Sequence, residues 1–170
     1  MKKLARLTAL LLTGALLLVL TACGAETEQQ AKQRLLKEIN SYRASIKLAP
    51  LEEVKELSAV EQELADHFRA AGKTVLSESE ADEALDSWRS KTKDWSYHYN
   101  FGPGWGHDKD GNYIYILTAK VPANTPEGKA ELRTTLGSSG AFNCKACKSI
   151  GIAVVTIDGQ MYWSCTMFHD

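Results

Sequence analysis

No block of lysine or arginine, no low-complexity tract and no repeated segment breaks the 170 residues of this chain. The first absence removes the electrostatic footprint that nucleic acid or an anionic lipid surface requires. The lack of a period removes solenoids and other stacked-repeat folds. Long hydrophobic runs are missing too. The one sustained apolar stretch, Leu7 to Leu20, covers about 14 residues, short of the roughly 20 that cross a bilayer core. Proline is scarce, at four residues, so each one serves as punctuation. Cysteine is equally scarce, also four, which makes the fate of each one matter. No serine, histidine and acid arrangement stands out, and hydrolytic chemistry has no positive support.

What is present begins with an address. Lys2, Lys3 and Arg6 precede the apolar stretch, and Leu20-Thr21-Ala22-Cys23 close it. A basic start, an apolar centre and small residues at the end make an export signal. A cysteine directly after Leu-Thr-Ala resembles the lipobox of bacterial lipoproteins, whose cysteine is diacylated before the signal is cut away. That resemblance implies removal of residues 1–22 and a mature chain that begins at a lipidated Cys23. It also implies a place in the bacterial cell envelope, anchored in a membrane on its extracytoplasmic side. Two acyl chains anchor stably where one gives only marginal binding. Losing three basic side chains and no acidic one takes the net charge from −1 to −4. Residues 23–31 read as the lipidated N-terminus and a short polar tether. Residues 32–170 read as one domain, long enough to bury a real core.

Within that domain the apolar residues keep helical spacing first. Leu35, Leu36, Ile39, Tyr42 and Ile46 make a stripe over 28–47, ended by Ala49-Pro50. A second helix is predicted over 52–71, with Val54, Leu57, Val60 or Glu61, Leu64 and Phe68 facing inward and Gly72 as its stop. Thr74-Val75-Leu76 is a strand candidate. Ser77 to Glu80 has the spacing of a capping box, opening a helix to about Asp94 with Leu85, Trp88 and Trp95 on one face. Asp110-Gly111 marks a turn, and Tyr113–Val121 is rich in β-formers. Thr125-Pro126 starts a further helix that Gly137 ends. Asp158-Gly159 between 150–157 and 160–168 is a strong hairpin signal. Helices, short strands and a closing hairpin together predict an α+β layered domain, with helices packed on a small antiparallel sheet.

Three stretches resemble the CAP superfamily, the SCP-like domains of cysteine-rich secretory proteins. They are Leu36 to Ala44 with Leu48-Ala49-Pro50-Leu51, then Glu83 to Trp88, and finally Ile150 to Val154 with Tyr162 to Phe168. The resemblance implies a layered CAP-like sandwich with a cleft in which two histidines and two acidic residues hold a divalent metal. Here the matching positions depart. Lys73 and Lys91 stand where the family has glutamates, and an ammonium group has no lone pair for a metal. His107 follows a glycine as the family's cleft histidine does, but the residues after it do not match. Counting back from Gly151 instead puts Ser138 near that place. His67 reads as a packing or surface histidine. No metal and no cofactor are therefore expected. The candidate cleft is Lys73, Lys91, His98 and His107, with the two lysines favouring an anionic group.

The remaining motifs have competing readings. Cys144, Cys147, Cys165 and His169 spell a zinc-like spacing, yet a two-residue turn at 158–159 puts Cys165 opposite Ile152 and Cys147 opposite residue 170. Five strand residues separate those levels by roughly 16 Å. With Cys23 acylated, a local Cys144–Cys147 disulfide is favoured. A bridge from either cysteine to Cys165 is what the family resemblance offers instead. A catalytic role for Cys144-Lys145-Ala146-Cys147 is disfavoured because the pair precedes a strand and not a helix. Trp95, Tyr97, Tyr99 and Phe101 alternate, which on an extended chain puts four rings on one face. They read either as core or, extended by Trp105, as an aromatic surface that stacks on sugars or peptides. Asp108 to Asn112 reads as a polar turn, because its glycine and missing glutamate do not fit a calcium loop.

The favoured function is a membrane-anchored, extracytoplasmic binding module with a degenerate metal cleft. Its expected ligand is a cell-wall component, a lipid-like molecule or another protein, and not nucleic acid. The alternative is a secreted hydrolase or protease using His107, and a third reading is a structural envelope lipoprotein.

Overall fold

The structure is a computed structural model that describes residues 26–169, with the side chains of Tyr97 and His98 outside the described part. Cys23 and the export signal also lie outside the described residues. The described residues fold as a mixed α/β domain of four α-helices, a four-stranded sheet and a three-stranded sheet.

Helix α1 (Glu28–Ser45) starts inside the stretch read as tether. Thr27 and Gln30 form a reciprocal capping box there, and Ala31 is fully buried. Its inward stripe is Ala31, Leu35, Ile39 and Arg43. Strand β1 (Glu52–Glu53) occupies the first residues of the predicted second helix, and α2 (Lys55–Ala71) follows it. Gly72, at φ 62°, ends α2 in the left-handed conformation that glycine adopts without a Cβ clash. Strand β2 (Val75–Ser77) leads into α3 (Glu78–Thr92), where the Glu80 carboxylate accepts from the Ser77 amide at 2.8 Å. Then come β3 (Ser96–Phe101), β4 (Pro103–His107), β5 (Tyr113–Leu117) and α4 (Pro126–Ser138). Thr125 caps α4, accepting from the Gly128 amide, with proline in its first turn. A short 3₁₀ turn (Ala141–Asn143) precedes β6 (Cys147–Ile157) and β7 (Gln160–His169).

The predicted single antiparallel sheet is in fact two. One has the order β1-β6-β7-β3, and its β1–β6 pair is parallel; the other has the order β2-β5-β4. Strands β6 and β7 join across Asp158 (φ 49°) and Gly159 (φ 76°). Positive φ at both residues matches the right-handed twist of the flanking strands. Ile152 lies opposite Cys165 in this ladder.

Strand β6 is buried along almost its whole length because helices cover both faces. Ile150, Ile152 and Val154 point into a core with Leu35 and Ile39 of α1, Leu132 and Leu136 of α4, Phe142 and Trp163. Ala153, Val155 and Ile157 point into a second core with Leu64 and Phe68 of α2, Ala84 and Leu85 of α3, and Tyr115 and Leu117 of β5. Gly151 lets α2 approach closely, since a Cβ there would lie 2.8 Å from the Leu57 carbonyl oxygen. Beyond β1 the edge of β6 is closed by side chains. Ser58 Oγ accepts from the Ile152 amide, Gln62 Nε2 donates to the Val154 carbonyl, and Glu28 accepts from the Thr156 amide. This satisfies backbone groups that would otherwise offer a template for another strand.

Candidate functional site

The residues expected to form one cleft are distributed over different elements. Lys73, just past α2, pairs with Glu80 of α3 at 3.0 Å. Lys91 of α3 pairs with Glu63 of α2. Hydrogen bonds from the Ser77 amide, Lys73 and the Ser77 hydroxyl hold the Glu80 carboxyl down at about 2. Each lysine already has a carboxylate partner, so the groove between α2 and α3 carries little spare positive charge. Two depressions there share His67: one is lined also by Glu63, Asp66 and Ala70, the other by Ala71, Leu76, Glu80 and Glu83. His107 lies elsewhere, exposed at the end of β4 with its ring 4.5 Å from that of Tyr113.

Beneath that groove is a group the sequence stripe named only as one of two options. Glu61 of α2 is fully buried, while Val60 is the half-buried neighbour. Its carboxyl accepts from Trp88 Nε1 at 2.8 Å and lies 3.5 Å from Ser164 Oγ, with the Thr166 hydroxyl facing it. Burial pushes the Glu61 carboxyl up to about 7, and the nearby polar groups of Thr166, Trp88 and Ser164 pull the other way. Burial, and secondarily the Glu61 charge, push the adjacent Cys165 thiol well up, leaving a poor nucleophile.

The aromatic alternation does not survive as one face. Between Tyr97 and Tyr99 strand β3 advances two residues while β7 advances one, from Phe168 to Met167. That bulge changes the phase of the strand at position 98. Trp95 packs edge-on against Phe168 at 5.9 Å, and Phe101 packs on Trp163 at 4.6 Å and on Phe142 at 5.2 Å. Tyr99 remains 44% exposed. Trp95 and Phe101 are both half-buried, and Phe101 packs against the first core.

Trp105 belongs instead to a separate cluster on the β4–β5 hairpin. Register places Trp105 opposite Tyr115 and His107 opposite Tyr113, all on one face. Tyr115 is buried against Phe68, so the inner end of this face is core. The outer end projects: Trp105 is 46% exposed and Tyr113 53%. Their rings meet edge to face at 6.4 Å, and Trp105 leans on Tyr115 at 5.1 Å. The turn that closes the hairpin is polar, as read from its sequence. Asp108 accepts from the Asn112 side chain and from the amides of Asn112 and Asp110, and these bonds lower its pKa. Strand periodicity alone does not single out Tyr113, because it does not say where a sheet outruns the helix that covers it.

Cys144 and Cys147 are joined by a disulfide with their Cα atoms 5.5 Å apart, and Cys165 is free and buried. The alternative bridges to Cys165 are not formed. Among the described residues no helix is long and apolar enough to cross a membrane. Compared with protein-family models and with curated proteins, the chain finds no match.

Proposed function

We propose that this chain is a lipid-anchored, extracytoplasmic CAP-like domain that acts as a binding module, with a cell-wall glycan as its ligand. The observation that carries the binding surface is the projecting pair Trp105 and Tyr113, with His107 beside them. Two large rings exposed side by side on a short hairpin are a costly arrangement for a surface with no partner. Sugar rings present apolar C–H faces that such side chains cover, while the His107 ring and the Tyr113 hydroxyl supply hydrogen bonds at the rim. The ion-paired lysines of the α2–α3 groove make that groove the weaker candidate for an anionic ligand.

Two experiments test the two halves of this reading. Cosedimentation with purified peptidoglycan should fall about five-fold on Trp105→Ala and further in Trp105→Ala/Tyr113→Ala, at roughly 1 kcal/mol per exposed ring. The unfolding midpoint should hardly move, because these rings sit outside both cores. Undiminished cosedimentation of the double variant would remove the hairpin from consideration. For the anchor, Cys23→Ser should leave the precursor unprocessed, with its signal still attached and without acyl label. Persistent acyl labelling of that variant would reject Cys23 as the lipid site.

A further inference from the structure

The loop before β6 carries a feature that the binding hypothesis does not use and on which it does not depend. Strands β6 and β7 keep a constant register down to Ser149↔Phe168, and then β6 bulges at Lys148 so that Cys147 faces His169. The bulge brings His169 one step nearer the cysteines than a regular ladder would. His169 Nε2 lies 3.8 Å from Cys144 Sγ, and Cys144 Sγ, Cys147 Sγ and a His169 ring nitrogen all lie within 4.8 Å of one another. A sulfur and an imidazole nitrogen bound to one tetrahedral zinc, at ~2.3 and ~2.0 Å from it, are about 3.5 Å apart. The third spacing is set by the two sulfurs, which a zinc ion would hold further apart than a disulfide does.

Two more observations point at the sulfurs. The Cys147 amide donates to Cys144 Sγ at 3.0 Å, a bond that favours the anionic form of that sulfur once the disulfide is open. Under the loop lies Arg43, fully buried on α1. Its guanidinium donates to the carbonyls of Ala49 at 2.8 Å, Phe142 at 3.0 Å, Cys144 at 2.9 Å and Cys147 at 3.2 Å. Among the described residues no carboxylate pairs with it. A buried cation satisfied only by carbonyl dipoles favours negative charge nearby, and thiolates on the same loop supply it. Cys165 takes no part: it sits at the Ile152 level, four strand residues or roughly 13 Å from His169 along β7.

We propose that Cys144, Cys147 and His169 form a redox-gated zinc site, closed as the disulfide and opened by reduction. An external dithiol attacks one sulfur as its thiolate, the Cys144–Cys147 bond breaks, and a mixed disulfide forms. The second thiol of the reductant then displaces the protein sulfur and leaves as its own disulfide. Two electrons have entered the pair, which now carries two thiols. Zinc binds Cys144 Sγ, Cys147 Sγ and the neutral His169 ring, displaces the two thiol protons, and changes no oxidation state. Zinc fits because thiolate and imidazole are its usual donors and it imposes no d-electron geometry. The sulfurs are buried and the histidine half-buried, and a solvent molecule would complete the fourth position.

The test uses the full chain in detergent, reduced with a dithiol, desalted without oxygen and titrated with cobalt(II) as the spectroscopic probe. The reduced protein should show thiolate-to-cobalt charge transfer and tetrahedral bands saturating at one equivalent. Zinc should displace the cobalt with a dissociation constant at or below about 1 µM. The oxidised protein should show neither band. His169→Gln should weaken zinc by at least about tenfold, and Cys165→Ser should change nothing. Absence of a cobalt–thiolate band in the reduced protein, equal binding by the oxidised protein, or unchanged affinity in His169→Gln would each overturn the proposal. If reduction alone unfolds the chain, recovery of the native circular dichroism on adding zinc supports the site, and failure to recover it counts against it.

Discussion

Arg43→Ala should be the most destabilising single substitution in α1, lowering the unfolding free energy by about 3–5 kcal/mol. Four carbonyls on three segments, at Ala49, Phe142, Cys144 and Cys147, lose a charged donor together. Hydrogen bonds to a charged group are each worth about 1.5–3 kcal/mol, and the gain is partly offset by the cost of burying the cation. Against a total stability on the order of 5–15 kcal/mol, such a loss takes a large share. At roughly 3 °C per kcal/mol for a domain of this size, the thermal midpoint should drop by about 10–15 °C. Arg43→Lys should recover less than half of it, because an ammonium group lacks the planar fork that spans these acceptors. Urea denaturation of the three proteins checks this. A loss below about 1 kcal/mol in Arg43→Ala would mean the guanidinium does not organise the loop.

Glu61→Gln should stabilise the protein, and by an amount that grows with pH. The Glu61 carboxyl titrates near 4.5 in the unfolded chain and at about 7 in the folded one. Between those values the folded state holds a proton that the unfolded state has released, so stability falls as pH rises through the window, by about 1.4 kcal/mol per unit. Above pH 7 both states are ionised and the penalty levels off near 3 kcal/mol. A glutamine keeps the acceptor for Trp88 Nε1 and carries no charge. The variant should therefore match the wild type near pH 4 and exceed it by about 3 kcal/mol at pH 8. Parallel stability curves across pH 4.5–8 would show that the carboxyl is not buried as described.

Local chemistry carried most of the secondary structure. Thr125-Pro126, Ser77 with Glu80, Gly72 and Asp158-Gly159 each announce an end or a turn through the hydrogen bonds or φ values they permit, and the structure puts ends and turns there. Tertiary contacts were less visible. Glu52–Glu53 became a strand because β6 offered an edge to pair with, which a helical stripe cannot reveal. The bulges at positions 98 and 148 follow from pairing between strands far apart in sequence, and they decided the fate of the aromatic run and of His169. Lys73 and Lys91 read as free charges in the sequence, because their partners Glu80 and Glu63 lie on other segments that only the packing of α2 and α3 brings close. Arg43 and Glu61 sit at inward positions of their helices and were legible in principle, since a charge on an apolar stripe signals either a bad register or a buried partner.

The two-residue turn at Asp158-Gly159 has a consequence beyond closing a hairpin. Past the bulge, Ile150, Ile152 and Val154 of β6 fill one core and Ala153, Val155 and Ile157 the other, with Gly151 giving α2 its close seat. Sliding β6 by one residue relative to its covering helices would exchange the contents of the two cores and drive Ile150 or Ile152 into the space that only glycine fits. The turn is therefore the frame-keeper of the molecule. Its two positive φ angles admit one loop length, and that length decides which side chains each half of the protein receives.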